Sequence, residues 1–220
     1  MRRAAGAALA AAVIAAWAAP SAAAAPAAIE AGTGGANVFS AGSFAHDAGT
    51  IAQLVIASGS HNVTAAAPGP DGEPLFRSAT IATGSTSVNG TQYLALGSYP
   101  FVCTVHPGMS SSLNVNAGAP LARPAVELKV KSRSLDQVVR KKAVKVKATV
   151  TGGQGEGAEV NVRLGKRRIG IARETFSTGV LKIRLTGKGH SRLEERSKAK
   201  IRAEATIDFG APASAKRKLK

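Results

Sequence analysis

Beyond an apolar, Ala-rich run over residues 4–17, the 220-residue chain settles into short stretches that alternate apolar with polar or small side chains. Alternation at period 2 sends successive side chains to opposite faces of a strand, so each stretch predicts a strand with one buried and one wet face. Between residues 37 and 117 the candidates are 51–57, 80–83, 92–96, 98–102 and 113–115, separated by Gly, Ser and Asn turns. No amphipathic stripe at i, i+3, i+4, i+7 runs there for a helix of ten residues. Short strands with turn residues between them predict a β-sandwich or barrel of about 80 residues. Residues 125–131, 143–150, 159–164, 169–173, 180–185 and 201–207 repeat the alternation more cleanly. Six such strands in about 85 residues predict an immunoglobulin-like sandwich. Residues 134–142 and 191–198 are polar connectors with room for a helical turn, and 211–220 (APASAKRKLK) reads as a disordered basic tail. The linker is 118–124, which holds Gly118, Pro120 and Pro124. The fold class is therefore all-β, with one sandwich over 36–117 and a second over 125–210.

Charge separates the same two stretches. Residues 26–120 hold one basic residue, Arg77, against four acidic ones, whereas residues 121–220 hold 26 Lys and Arg against nine Asp and Glu. Asymmetry of this size marks two modules with different tasks. In the second module the cations sit on wet strand faces, where Lys protects edges from pairing. Outside the cell the same charge would draw the module to an anionic cell-envelope surface or an acidic partner. Specific nucleic-acid binding is not expected, because 4% aromatics leave few rings to stack on bases.

Arg2 and Arg3 precede the apolar run, and Pro20 with the small residues 21–25 follows it. That is the layout of a secretory signal peptide over residues 1–25, cleaved within 22–25. The run is shorter than the roughly 20 residues of a membrane span, so no transmembrane anchor is expected after cleavage. The mature protein is thus expected to be secreted, in a periplasmic or cell-envelope setting. There the single Cys has no intramolecular disulfide partner, and a free thiol is a liability unless something occupies it.

The chemistry concentrates at Cys103-Thr104-Val105-His106-Pro107-Gly108-Met109 and at His61-Asn62-Val63. A thiolate, two imidazoles and a thioether make a soft donor set, and two His with one Cys and a weak axial Met is the pattern of a mononuclear blue-copper site. Cys103 and His106 are three apart, a spacing that a turn leaving a strand brings to one ion, and Met109 stands three further on. The second imidazole has to come from elsewhere in the sheet. His61, 42 residues before Cys103, is the candidate, and His46, which no Asn-Val follows, is the alternative. Zinc accepts these atoms too, but the thioether favours copper. Tyr99 and Phe101 share a strand face with Cys103 and read as core.

The run Gly97-x-Tyr99-x-Phe101-x-Cys103-Thr104-x-His106-Pro107-x-Met109 resembles the last-strand and ligand-loop motif of the cupredoxins, the plastocyanin and amicyanin type in particular. Its two residues between His and Met are similar to the short amicyanin-like loop, and His61-Asn62-Val63 resembles the family's separate first-ligand motif. The resemblance spans residues 36–117. It implies an antiparallel Greek-key β-sandwich and one copper ion, cycling between Cu(I) and Cu(II), held by His61, Cys103, His106 and Met109. It further implies that the Asn62 side chain ties the two ligand segments together near Thr104. One-electron transfer with a protein redox partner follows from the resemblance, with the solvent edge of His106 as the electron port.

The chain contains no Gly-x-Ser-x-Gly elbow, no phosphate-binding loop and no paired carboxylates beside a base. It reads as a carrier or binder, not an enzyme. The leading reading is an exported mononuclear blue-copper protein carrying single electrons. The alternative is non-redox copper binding for storage or delivery, or an envelope-binding protein that uses the basic module.

Overall fold

In the computed structural model, which describes residues 25–175 and 178–220, alternation along the chain becomes fourteen strands in four sheets, two to each sandwich. The signal-peptide expectation falls on residues 1–25, of which 1–24 lie outside the described residues.

The first sandwich holds β1 (Ala28–Ala31), β2 (Ser43–Ala48), β3 (Ala52–Ile56), β4 (Thr64–Ala65), β5 (Gly84–Val88), β6 (Gly97–Val102) and β7 (Ser110–Gly118). One sheet runs β1-β3-β5 and the facing sheet β2-β7-β6-β4. Two pairings, β1 with β3 and β2 with β7, are parallel, and the other ladders are antiparallel. The period-2 pattern is visible in β3, where Ala52, Leu54 and Ile56 are buried and Gln53 and Val55 are partly covered. Phe101 of β6 lies at the centre of the core, with the Phe39 ring edge-on at 4.9 Å and Phe76 at 6.3 Å. Burial of these rings removes on the order of 2 kcal/mol of hydration cost per side chain.

Three sequence expectations are corrected here. The sandwich begins at Ala28 rather than residue 36, because Ile29 and Ala31 are fully buried against β3. Residues 80–83 form no strand; only Ile81 makes an isolated bridge, to His61. Residues 92–96 are not a strand either, since Thr91–Tyr93 is a 3₁₀ turn. The Gln92 side chain accepts from the Gly90 N–H there, a local bond that competes with sheet pairing.

The second sandwich holds β8 (Ala125–Val130), β9 (Ala143–Thr151), β10 (Gly157–Leu164), β11 (Arg167–Thr175), β12 (Gly179–Arg184), β13 (Ala199–Ile207) and β14 (Ala213–Leu219). Sheets β12-β9-β8 and β11-β10-β13-β14 face each other, an immunoglobulin-like arrangement around Val144, Val146, Val160, Val162, Ile169 and Ile201. The connectors carry helices α1 (Leu135–Lys141) and α2 (Gly187–Glu194). Ser134 caps α1 by accepting from the Gln137 N–H, and Asp136 and Lys141 match the helix dipole at either end. His190 of α2 donates from Nε2 to the Val139 carbonyl and so ties the two helices.

The basic tail is ordered, contrary to expectation. β14 pairs antiparallel with β13 from Ala213 opposite Ala205 to Leu219 opposite Ala199. Leu219 is fully buried, and the Lys220 carbonyl accepts from the Leu135 N–H. Lys216 and Lys218 point to water at every second position, so the charge is that of a protected edge strand, not of a disordered tail.

A polar seam joins the sandwiches. Arg77 pairs with Asp208 at 3.1 Å and lies over the Phe209 ring, while Asp71 accepts from the Phe209 N–H. Tyr93 donates to Glu156, and the linker is strapped down by a bond from the Leu121 N–H to the Gln92 carbonyl. Gly90, at φ +100, is required here: a Cβ would meet the Leu75 carbonyl and the Phe209 ring at 2.7 and 2.8 Å.

Leu219→Ala is expected to cost about 2–4 kcal/mol by cavity formation and to lower the melting temperature of the second sandwich by on the order of 10 °C. Differential scanning calorimetry checks this; an unchanged transition would mean that β14 is not part of the folded unit.

Candidate metal centre

Three elements deliver the donors. β3 ends at Ile56, and the chain turns through Ser58 and Gly59 before His61 bridges Ile81 through reciprocal backbone bonds of 3.0 and 3.1 Å. Gly59, at φ +78, lets the turn close on the imidazole, because a Cβ would stand 2.9 Å from His61 Nε2. β6 delivers Cys103 immediately after its last residue, and the alternation that buries Phe101 and exposes Val102 turns the thiol inward. The loop then folds back on itself: the Met109 N–H donates to the His106 carbonyl and the Cys103 N–H to the Met109 carbonyl. β7 starts at the next residue.

His61, Cys103 and His106 converge. Their donor atoms all lie within 4.8 Å of one another. Cys103 Sγ is 3.9 Å from His61 Nδ1 and 3.7 Å from His106 Nδ1, and the two Nδ1 atoms are 3.1 Å apart. His61 is fully buried, Cys103 is 3% exposed, and His106 is half-buried. Met109 is buried in the same core cluster as Cys103.

The protonation of His61 follows from its partner. Nε2 lies 2.9 Å from the Ser58 carbonyl, which only accepts, so Nε2 carries the proton and Nδ1 presents a lone pair to Cys103 and His106. A ring nitrogen held in this way is the usual arrangement of a metal-ligating imidazole. The 3.1 Å contact between the Nδ1 atoms is satisfied by a proton on His106 or by a cation between the rings.

Asn62 clamps the two ligand segments. Its Oδ1 accepts from the Thr104 N–H at 2.8 Å, and its Nδ2 donates to Thr104 Oγ1 at 2.7 Å and to Thr80 Oγ1 at 2.9 Å. No pattern in the sequence marks Ser58 or Thr80 as part of the site. Ser58 acts through its backbone carbonyl, which no side-chain pattern announces; the Gly after it was the available signal.

His46 stands apart from the cluster. It is 1% exposed, and its Nδ1 accepts from the Ala27 N–H at 3.1 Å, while Nε2 has no hydrogen-bond partner among the described residues. Burial pushes its pKa below the ordinary 6.5.

The donor set fits a metal. Separations of 3.1, 3.7 and 3.9 Å are those of nitrogen and sulfur atoms about 2.0–2.3 Å from a shared centre. Three strong donors of this softness, with a Met in the same loop, suit copper better than a closed four-ligand zinc site.

No protein-family profile and no curated protein matches the chain. Among solved structures, a reduced Cu(I) form of an amicyanin mutant at pH 4 is similar at 18% identity, covering 41% of this chain and 82% of that one, with a TM-score of 0.33. The BSP domain of a biofilm-associated protein is similar at 12% identity over 74% of this chain and 25% of that one, with a TM-score of 0.27. An IgVJ-C2 molecule of amphioxus is similar at 8% identity over 80% and 99%, with a TM-score of 0.25.

Asn62→Ala removes three hydrogen bonds and is expected to lower the stability of the metal-free protein by about 2–4 kcal/mol in urea denaturation. His46 sets a pH dependence. Its folded-state pKa lies below 6.5, so the unfolded chain takes up the proton first as the pH falls. The stability from neutral His46 is therefore complete above about pH 6.5 and is lost as the pH drops toward the folded value. Denaturation at pH 7.5 and pH 5 is expected to show a loss that shrinks in a His46→Gln variant.

Proposed function

We propose that this chain is an exported mononuclear copper protein of the cupredoxin kind that carries single electrons between protein partners. The observation that carries the reading is the convergence of His61 Nδ1, Cys103 Sγ and His106 Nδ1 within 4.8 Å, from segments 42 residues apart. Bound copper would supply a Cu(I)/Cu(II) couple, and His61, Cys103 and His106 would hold it, with Met109 as the weak fourth ligand.

The chain's own residues favour a carrier. The Ser58 carbonyl fixes the ring of His61, and Asn62 fixes the first step of the ligand loop through the Thr104 N–H, so the donors have little room to rearrange. A donor set that stays put in both oxidation states keeps the reorganisation accompanying electron gain and loss small. Burial of His61 and Cys103 keeps water and substrates away, which supports transfer over catalysis. His106 is the half-buried ligand, and exposed Val105 (43%) beside it offers an apolar approach for a redox partner. Among the described residues no helix is long and apolar enough to cross a membrane. Export rests on the signal-peptide layout of residues 1–25.

Addition of Cu(II) to the metal-free protein is expected to produce an intense visible band from the thiolate, and Cys103→Ser to abolish it. Persistence of the band in that variant would refute the ligand assignment. A reversible one-electron wave in voltammetry is expected of a carrier; tight Cu(I) retention without an accessible Cu(II) state would refute it in favour of storage.

A further inference from the structure

The two faces of the second sandwich handle charge differently. On the β11-β10-β13-β14 sheet like charges also stand opposite one another, Lys200 to Lys218 and Arg202 to Lys216, but three arginines meet carboxylates: Arg163 pairs with Glu204 at 2.6 Å, Arg173 with Glu159 at 2.7 Å and Arg202 with Glu204 at 3.3 Å. On the β12-β9-β8 sheet, lysine faces lysine. Lys129 stands opposite Lys147, and Lys145 stands opposite Lys182. Lys131 continues the ladder on the other side of Lys145, its N–H donating to the Lys145 carbonyl. Lys131, Lys145 and Lys182 thus form a row across three strands, spanning about 10 Å at the usual strand spacing. Like charges placed directly across a ladder destabilise it. The carboxylate on this face, Glu127, lies opposite Thr149, toward the linker end of β8.

The row borders a cleft of about 340 Å³ between the sheet and α1. Its cationic lining is Lys131, Arg133, Lys141, Lys145 and Lys182, and no carboxylate and no aromatic ring lines it. None of the five cationic side chains makes an ion pair or side-chain hydrogen bond with another described residue. Soluble surfaces ordinarily intersperse the two signs of charge, as the ion pairs around Glu159 and Glu204 do on the opposite sheet.

We infer that this cleft is a binding site for a linear polymer carrying closely spaced phosphate groups. A single compact anion does not reach a row of lysines about 10 Å long, whereas a chain of phosphates neutralises several at once. Concavity disfavours a flat bilayer, and the absence of rings disfavours unpaired nucleic acid, which gains its affinity from stacked bases. Flexible Lys stems around one Arg fork suit a polymer of variable path. The cleft lies at the end of β8 remote from the linker, one strand or about 20 Å away, so an occupant leaves the first sandwich and its metal loop clear. This inference stands whether or not copper binds.

The test uses the full chain, with and without copper, and a defined-length inorganic polyphosphate as probe. Lys131→Gln, Lys145→Gln and Lys182→Gln combined are expected to weaken binding more than about tenfold and to flatten the log–log salt slope by about 2. A charge-matched control, Lys200→Gln, Arg202→Gln and Lys216→Gln on the opposite sheet, is expected to change affinity by less than about twofold. Thermal melts of both triple variants establish that each is folded. Equal losses in the two triples, or none in the first, would overturn the site in favour of diffuse attraction. Tighter binding of single-stranded DNA, polyglutamate or phosphatidylglycerol vesicles would overturn the assigned ligand class.

Discussion

The three hydrogen bonds of Asn62 are the constraint on which the candidate metal centre depends. His61 and the Cys103–Met109 loop belong to different segments of the chain, and nothing in covalent connectivity sets their distance. Asn62 spans that gap with both ends of its amide, one accepting from the Thr104 backbone and the other donating to two threonine hydroxyls. Because each amide atom has a partner, the side chain has one orientation, and the loop entering at Thr104 has one height above the sheet. A buried amide with only part of this satisfaction would cost about 1–3 kcal/mol and leave the loop to drift.

On that frame the imidazole and the thiol acquire their chemistry from neighbours with no reactive role. The Ser58 carbonyl decides which nitrogen of His61 carries a proton, and Gly59 allows the carbonyl to approach. The strand alternation of β6 decides that Cys103 faces inward while Val102 faces out. The result is a soft, nearly dry donor set with one half-buried member, His106. The second sandwich is joined to the first through Arg77, Asp71, Tyr93 and Phe209, so that the cationic sheet and the metal loop belong to one molecule with a defined seam.

Much of this was legible in the sequence, for physical reasons that differ by residue. The ligand types announce themselves because soft donors at this spacing are chemically specific, whereas the Asn62–Thr104 tie was implied only by the resemblance to the cupredoxins. Both sandwiches are visible in the alternation of β-branched and polar residues, most clearly in 143–150 and 201–207. What stayed hidden shares one cause: pairing partners far away in the chain. The short segment AIEA at β1 carries almost no hydrophobic signal, and its place is set by a parallel partner, β3. In β14 the density of Lys and Arg masks an alternation that burial of Leu219 reveals. Conversely, residues 80–83 and 92–96 have strand-like composition, but Gln92 and Thr91 spend their polar atoms on local backbone bonds.

The parallel pairing of β2 with β7, which sets Ser43 beside Ser112, has a kinetic consequence. Closing so long a stretch of chain is entropically slow compared with forming a hairpin. The sole thiol lies inside that stretch and gains its burial only as the sheet closes. During synthesis and folding it is therefore open to oxidants for as long as the sandwich remains incomplete. Yield of competent protein is then governed by the race between sheet closure and sulfur oxidation, and reductant supplied early in refolding is worth more than reductant added to the finished fold.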